Sequence, residues 1–317
     1  MLPVQKIVGM KKVKSNYVNV IRWKLGFGQK EVPAVPAEEL VTFKTAIVKP
    51  DSKRISKPNP RKIQITWIGH STFLIQVGGV NILTDPIFST YASPVPIANF
   101  RRLVPPGIEF DKLPEIHAVL ISHDHYDHLD APTIKKLGNN VCYFVPPGLK
   151  KWFNKRKITN VLEVPWWQSV MFKGLTVHSV PLKHFSGRGL LDMNKALWSG
   201  WILESKSGKI FFAGDTGYSP VFKKIGERFG PLKVSLIPIG AYAPRWFMRP
   251  VHVNPPEAVK MHRDIDSEKS IGMHWGTFKL ADNHPNEPPV FLKKTLKEKG
   301  IDEESFIVMK FGETQSF

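Results

Sequence analysis

The sequence is almost without cysteine, since Cys142 is the single one in 317 residues. An intramolecular disulfide is therefore excluded, and nothing in the sequence indicates an oxidising compartment. A zinc site built from several thiolates is excluded for the same reason. Cys142 lies in the apolar run 141–145 and is predicted to be a core residue.

Long apolar segments are also missing. No stretch reaches the roughly 18 apolar residues that a membrane-spanning helix needs, so no such helix is predicted. Several lysines stand near the N-terminus, but no apolar segment follows them, so no signal peptide is predicted either. We expect a cytoplasmic protein, with peripheral attachment to a membrane as the alternative.

Acidic residues are few relative to basic ones: 27 Asp and Glu against 45 Lys and Arg give a net charge of +18 with neutral histidines. Such a surface attracts polyanions, so nucleic acid, an anionic membrane or a phosphorylated substrate are candidate partners. No nucleic-acid-binding module is recognisable and the basic residues are dispersed, so nucleic acid is not expected. A basic nucleic-acid-binding protein remains the alternative from a different class.

The chain divides into an N-terminal arm, residues 1–60, and a main domain, residues 61–317. The arm contains an amphipathic segment at 18–27 and proline-rich stretches at 32–37 and 49–61. It is predicted to pack on the outside of the main domain, with contact to a membrane or partner as the alternative. In the main domain, segments typical of strands and helices alternate in two halves of similar plan, which predicts mixed sheets enclosed by helices.

One loop, His123-Asp124-His125-Tyr126-Asp127-His128, is dense in metal-ligating side chains and follows the apolar run 117–122. Folds of α/β type place their chemistry at the carboxyl ends of strands. Imidazole and carboxylate are the ligands of zinc and of similar metals. Three further candidates also stand just past a predicted strand: His184, Asp215 and His274.

Together these side chains predict a site for two divalent cations, which is typical of hydrolytic centres. The predicted assignment is His123, His125 and His184 on one ion, Asp127, His128 and His274 on the other, and Asp215 between them. Asp85 ends another predicted strand. It is interpreted either as a turn former or as a carboxylate that orients a ligand histidine.

The chain resembles the metallo-β-lactamase superfamily from about residue 17 to the C-terminus, so the resemblance covers nearly its whole length. The segments that carry this resemblance include ITWIGHSTFLIQ, ILTDPIFS, VLISHDHYDHLD, PLKHFSGR, FFAGDTGYSP and HWGTF. Two longer segments, IPIGAYAPRWFM and LLDMNKALWSGW, resemble the family of N-acylphosphatidylethanolamine-hydrolysing phospholipases D. A looser resemblance is to the L-ascorbate-6-phosphate lactonases.

The resemblance implies an αββα sandwich, two mixed sheets flanked by helices, with a two-zinc site at the sheet edge and the ligands assigned above. It implies a phospholipase D-type phosphodiesterase that releases N-acylethanolamine and phosphatidic acid through a hydroxide bridging the metals. A histidine at position 125, where diiron oxygen-reducing members have a carboxylate, favours zinc, with iron or manganese as alternatives. A lactonase or small-phosphoester hydrolase of the same fold is the alternative function.

The resemblance also implies the roles of further residues. Asp127 or Asp215 would handle the proton, whereas His252 and Arg188 would steady the charge at the phosphate. Vertebrate family members have a glutamine where this chain has Val251, so head-group recognition is expected to differ.

Two aromatic loops, 91–110 and 239–250, are predicted to form an acyl-chain groove, with ordinary loop packing as the alternative. The candidate groove residues are Phe100, Tyr242, Trp246 and Phe247. An anionic membrane surface and a second copy of the chain, in a homodimer, are candidate partners.

Overall fold

The structure, a computed structural model, describes residues 22–23, 33–40, 46–189 and 191–317. Most of the amphipathic segment predicted at 18–27 therefore lies outside the described residues. Two seven-stranded sheets dominate the described part of the chain.

The first sheet has the strand order β14-β1-β2-β3-β4-β5-β6. Strands β14 to β3 pair antiparallel, and β3 to β6 pair parallel. Its strands are β1 (Gln64–Gly69), β2 (Thr72–Val77), β3 (Val80–Thr84), β4 (Ala118–Leu120), β5 (Cys142–Val145), β6 (Val161–Glu163) and β14 (Thr314–Ser316).

The second sheet has the order β13-β12-β11-β10-β9-β8-β7 and is mixed in the same way. Strands β7 to β10 pair antiparallel, and β10 to β13 pair parallel. Its strands are β7 (Ser169–Phe172), β8 (Leu175–Val180), β9 (Gly200–Ser205), β10 (Gly208–Phe212), β11 (Val234–Pro238), β12 (Ser270–Met273) and β13 (Phe306–Ile307).

Helices cover the outer faces of both sheets. Ile134 and Leu137 of one helix pack with Leu83 and Tyr143 of the first sheet. Val259 and Leu292 of two others belong to the cluster that covers the second sheet. The helices are α1 (Ser52–Ser56), α2 (Ala131–Leu137), α3 (Lys150–Asn154), α4 (Val221–Phe229), α5 (Arg245–Met248), α6 (Pro255–Asp264) and α7 (Glu287–Glu298).

The main core lies between the two sheets. Trp67 and Phe73 from the first sheet and Trp201 and Phe211 from the second are each 0% exposed and belong to one apolar cluster. Burial of apolar surface on this scale is the dominant favourable contribution to folding. The predicted αββα sandwich of two mixed sheets is thus confirmed.

Trp23, from the predicted arm, contacts the main domain. Its indole N–H donates to the carboxylate of Asp282 at 3.0 Å, and its ring stacks on Phe247 at 5.3 Å between centroids. Among the described helices, none is long and apolar enough to cross a membrane.

Candidate metal centre

Loops at the ends of strands from both sheets bring histidines and carboxylates together at one edge of the sandwich. Each of these side chains follows a strand that is buried along most of its length. The residues are His70 after β1, Asp85 after β3, residues 123–128 after β4, His184 after β8, Asp215 after β10 and His274 after β12.

The first group contains the three histidines predicted to share one ion. The His125 Nδ1 atom lies 2.8 Å from His123 Nε2 and 3.4 Å from His184 Nε2. The Nδ1–H of His184 donates to the carbonyl oxygen of Val251 at 3.0 Å, which leaves its Nε2 free to bind a metal. These three nitrogens are close enough together to hold one ion.

The second group contains Asp127, His128, His274 and a residue that the sequence interpretation missed, His70. The Asp127 Oδ2 atom lies 2.9 Å from His70 Nε2, 3.2 Å from His128 Nε2 and 3.5 Å from His274 Nε2. A signal for His70 was present, because it stands just past the predicted strand 62–67, as the other candidates stand past theirs.

Asp215 lies between the two groups. Its Oδ2 atom is 3.1 Å from His128 Nε2 in the second group, and 4.0 Å from His123 Nε2 and 3.9 Å from His184 Nε2 in the first. Its Oδ1 atom is 3.1 Å from His274 Nε2. The carboxylate is therefore placed where one side chain could reach ions in both groups.

His252, predicted to contact substrate, lies inside the same cluster. Its Nδ1 atom is 3.9 Å from Asp215 Oδ2, and with Asp215 and His274 it forms a further set that could hold a metal. It belongs to the short segment between α5 and α6.

The donor set fits divalent cations. The buried atoms His128 Nε2, Asp215 Oδ1, His252 Nδ1 and His274 Nε2 form no hydrogen bond within the described part of the chain. Buried polar atoms without partners are costly, and so many at one point fit a bound cation. The donors are imidazole and carboxylate without thiolate, a set that suits zinc and neighbouring metals at reactive sites.

The charge states of the histidines differ within the cluster. Burial, with the neighbouring histidines, holds the pKa of His123 and His184 well below the usual value, so both rings are neutral and able to bind a metal. Burial alone would also lower the pKa of His128, but the carboxylates of Asp215 and Asp127 raise it well above the usual value. A proton on His128 thus offsets part of the negative charge of these two carboxylates.

Asp85 supports the centre from below the loop. Its Oδ2 accepts a hydrogen bond from His128 Nδ1–H at 2.6 Å, and its Oδ1 accepts one from the backbone N–H of Ser122 at 2.7 Å. The Ser122 hydroxyl also donates to Asp85 and lies 2.9 Å from His123 Nδ1. Asp85 therefore directs the Nε2 atom of His128 toward the cluster, a common arrangement for metal-binding histidines.

Gly214 allows Asp215 to approach this support. Its φ of +60° is in the left-handed region, and a Cβ atom there would lie 2.4 Å from Ser122 Cβ. Only glycine permits both the conformation and the approach.

Arg188 and Asp124 link the loop that contains His123 to the segment that follows His184. Arg188 Nη1 donates to the carbonyl oxygens of Asp124 and Leu129, and its guanidinium lies 3.9 Å from the centroid of the Tyr126 ring. The Asp124 carboxylate accepts a hydrogen bond from Gly187 N–H at 2.7 Å. The contacts of Arg188 are thus made to the metal-binding loop, and its predicted contact with a phosphate stays a prediction.

The four predicted groove residues make three separate sets of contacts. Phe100 packs against Ile87, Ala92 and Phe278. Tyr242 is 4% exposed, donates its hydroxyl hydrogen to Glu287, and lines a cavity of about 460 Å³ beside residues 33–40. Trp246 and Phe247 contact each other with their ring centroids 5.7 Å apart. A single acyl-chain groove formed by all four stays a prediction.

The chain is similar in sequence to known metal-dependent hydrolases. Residues 80–275 match the family model of the beta-lactamase superfamily domain. The chain is 40% identical over 263 residues to N-acyl-phosphatidylethanolamine-hydrolyzing phospholipase D 1 of Caenorhabditis elegans, covering 78% of this chain and 74% of that protein. It is 34% identical to the mitochondrial N-acyl-phosphatidylethanolamine-hydrolyzing phospholipase D of Saccharomyces cerevisiae, covering 80% of this chain and 55% of that protein.

Solved structures share the fold. A possible metal-dependent hydrolase from Veillonella parvula superposes with a TM-score of 0.67 at 22% identity, covering 81% of this chain and all (100%) of that one. An isothiocyanate hydrolase from Delia radicum gut bacteria gives a TM-score of 0.67 at 18% identity, covering 80% of this chain and 98% of that one.

Proposed function

Because this chain belongs to the metallo-β-lactamase superfamily and is a metal-dependent hydrolase, we propose that it is a phosphodiesterase of the phospholipase D type. Its proposed substrates are N-acylphosphatidylethanolamines, and its products N-acylethanolamine and phosphatidic acid. The observation that carries the proposal is the position of Asp215 between two separate groups of nitrogen and oxygen donors. Such a pair of sites suits the displacement of an oxygen at phosphorus.

The chemistry requires a nucleophile and neutralisation of the phosphate. Two divalent ions, which we propose to be zinc, would supply hydroxide at neutral pH and withdraw charge from the phosphate oxygens. His123, His125 and His184 would hold one ion, and Asp127, His128 and His274 the other. Iron or manganese would suit the same donors.

The carboxylates of Asp127 and Asp215 are the candidate general bases, because both lie among the proposed metal-binding nitrogens. Burial alone would raise the pKa of each, but His128 and the other histidines hold both well below the usual value. Both are therefore ionised at neutral pH and can accept a proton from the attacking water.

His252 is the candidate donor to the phosphate. Burial lowers its pKa to about 4, so the ring is neutral and can donate through one ring N–H. Its Nδ1 has no hydrogen-bond partner within the described residues. A donor fixed in advance beside a developing negative charge is a typical source of transition-state stabilisation.

The proposed substrate class is supported by the nematode and yeast relatives, both of which are named for hydrolysis of N-acylphosphatidylethanolamine. Val251 is buried, and its backbone carbonyl orients His184. This contact needs no particular side chain, so a change from glutamine to valine there would affect substrate recognition without removing a metal ligand.

We also propose that the active enzyme contacts an anionic membrane surface. Apolar side chains are exposed on two loops that follow strands at the edge of the metal centre: Val95 by 55%, Ile97 by 40% and Trp246 by 38%. Exposed aliphatic and aromatic groups on a protein of net charge +18 favour adsorption to anionic lipid.

A substrate panel tests the function. Purified protein of measured metal content would be assayed on vesicles containing N-acylphosphatidylethanolamine, on a soluble phosphodiester and on a soluble lactone. We expect the lipid to be the preferred substrate and Asp215→Ala to lose both metal and turnover. Faster turnover of the lactone would favour the alternative function. Unchanged turnover in a metal-depleted Asp215→Ala protein would exclude the metal-dependent mechanism.

A further inference from the structure

His70 is a buried histidine in the metal centre to which the proposed mechanism gives no role. It directly follows β1, is 1% exposed, and its ring lies 4.0 Å from that of His274 between centroids. Its position is fixed through the backbone. Its N–H donates to Thr277 Oγ1 at 2.7 Å, and its carbonyl accepts from Trp67 Nε1 and from the backbone N–H of His274, each at 3.1 Å.

The backbone of His70 adopts an unfavourable conformation to reach this place. Its φ is +54°, in the left-handed region that residues other than glycine rarely occupy. Strain of this kind persists where the surrounding structure imposes it, and it is concentrated at functional sites. The three backbone hydrogen bonds impose the conformation here, and they direct the imidazole toward Asp127.

The ring of His70 reaches the cluster through one carboxylate. Its Nε2 atom lies 2.9 Å from Asp127 Oδ2. Five other histidines have a ring nitrogen within 4.0 Å of Asp215, namely His123, His128, His184, His252 and His274. No such contact joins His70 to Asp215 in the described residues. His70 is therefore placed as a partner of Asp127 and not as one of the groups around the shared carboxylate.

We propose that His70 is a positioning residue that donates its Nε2–H to Asp127 and thereby fixes that carboxylate on the second ion. Burial lowers the pKa of His70 to about 3, which is consistent with a neutral ring that acts as a donor. Carboxylate ligands are commonly held by such hydrogen bonds, whose loss weakens metal binding by about 10- to 100-fold. The inference rests on the two-ion centre proposed above, and it predicts that the two sites respond differently to a change at position 70.

Two variants of similar size separate the hydrogen bond from packing and strain. His70→Gln retains an N–H donor at about the reach of Nε2, whereas His70→Leu fills the space without a donor. Both would have the same left-handed backbone, so the difference between them measures the contribution of the hydrogen bond. Circular dichroism and the thermal midpoint would establish that each variant is folded.

Zinc bound per chain would be measured by mass spectrometry after equilibration with a graded series of a competing chelator. We expect wild type to hold two ions, and His70→Leu to release one of them at chelator concentrations about 10- to 100-fold lower, with the other retained. His70→Gln should release its zinc close to the wild-type concentration. In turnover of a soluble phosphodiester, His70→Leu should lower kcat more than it raises KM.

The outcomes distinguish the two proposals. If wild type binds a single ion, the proposed two-ion function fails. If wild type binds two and His70→Leu releases both as wild type does, the role of His70 is wrong. Equal weakening of zinc binding in His70→Gln and His70→Leu would also overturn it, because the retained donor would then contribute nothing. If His70→Leu does not fold, the result for His70→Gln decides. Zinc release at the wild-type chelator concentration supports the donor role, and release at a lower concentration overturns it.

Discussion

Substitution of Gly214 by alanine should damage the metal centre through a residue that binds no metal. At a φ of +60° a side chain costs about 1–2 kcal/mol. The new Cβ would lie 2.4 Å from Ser122 Cβ and 2.8 Å from Ser122 Oγ, so one side must move, and overpacking of this kind costs about 1–3 kcal/mol. The total loss of stability is therefore about 2–5 kcal/mol.

The displacement would extend from Ser122 to Asp85 and from there to His128, through the hydrogen bonds that join them. We therefore expect Gly214→Ala to lose metal as well as stability. Gly300 is a matched control, because its φ is +60° and no atom lies within 4 Å of the position of a Cβ. It follows α7, where the N–H of Ile301 donates to the carbonyl oxygen of Leu296, as in a left-handed helix C-cap.

The assay is urea unfolding of metal-free protein, followed by circular dichroism, together with metal content after dialysis. Gly300→Ala should lose only the conformational contribution of about 1–2 kcal/mol and should keep its metal. If Gly214→Ala is as stable as Gly300→Ala, the close approach to Ser122 does not limit the site, and the reasoning is refuted.

Three further changes test the support and charge of the centre. Asp85→Asn either places an amide N–H opposite the Nδ1–H of His128 or removes the acceptor of the Ser122 hydrogen bonds. Metal affinity measured by competition should therefore fall about 10- to 100-fold, and unchanged affinity would contradict this. Arg188→Lys retains the charge but not the paired bonds to Asp124 and Leu129, so the thermal midpoint should fall by the equivalent of about 1.5–3 kcal/mol, whereas a role through charge alone predicts no change. Burial alone would lower the pKa of His274, but Asp215 and Asp127 raise it to about 9 from 6.5. Protonation of His274 therefore stabilises the metal-free fold below pH 6.5, and this contribution is lost as the pH rises through about 9. Metal must displace that proton, so affinity should rise with pH over this window, with proton release detectable by calorimetry in buffers of different ionisation enthalpy.

The sequence was informative where a local pattern determines position. The apolar run 175–180 is β8 in the structure, and His184 follows it at the predicted edge. Since strand ends of one sheet meet at one edge, ligands far apart in the chain could be grouped without knowledge of their contacts. The spacing within residues 123–128 also predicted that His123 and His125 lie together, and their ring nitrogens are 2.8 Å apart. Which histidines share an ion stays a prediction.

The remainder depends on long-range contacts that have no local pattern. β14 pairs with β1 across about 250 residues, Gln64 opposite Ser316, and three residues are too few to show a strand period. His70 stands just past a predicted strand, but its contacts with Thr277 and His274, which are brought to it by the second sheet, have no local pattern. Arg188 was assigned by resemblance, and the carbonyl oxygens that it binds could not be identified before the loop was seen.

Trp246 is a position at which preference for lipid over soluble substrates could change without loss of metal. The candidate ligands follow buried strands of both sheets. Hydrogen bonds of Asp85 with Ser122 and His128 fix the loop 123–128 to the first sheet. Trp246, by contrast, is 38% exposed on a four-residue helix and supports none of these contacts. Trp246→Ala should therefore alter turnover of vesicle-borne lipid while metal content and turnover of a soluble phosphodiester stay at wild-type values. Loss of metal in Trp246→Ala would show that loop and centre are coupled, and that substrate preference cannot change independently of the chemistry.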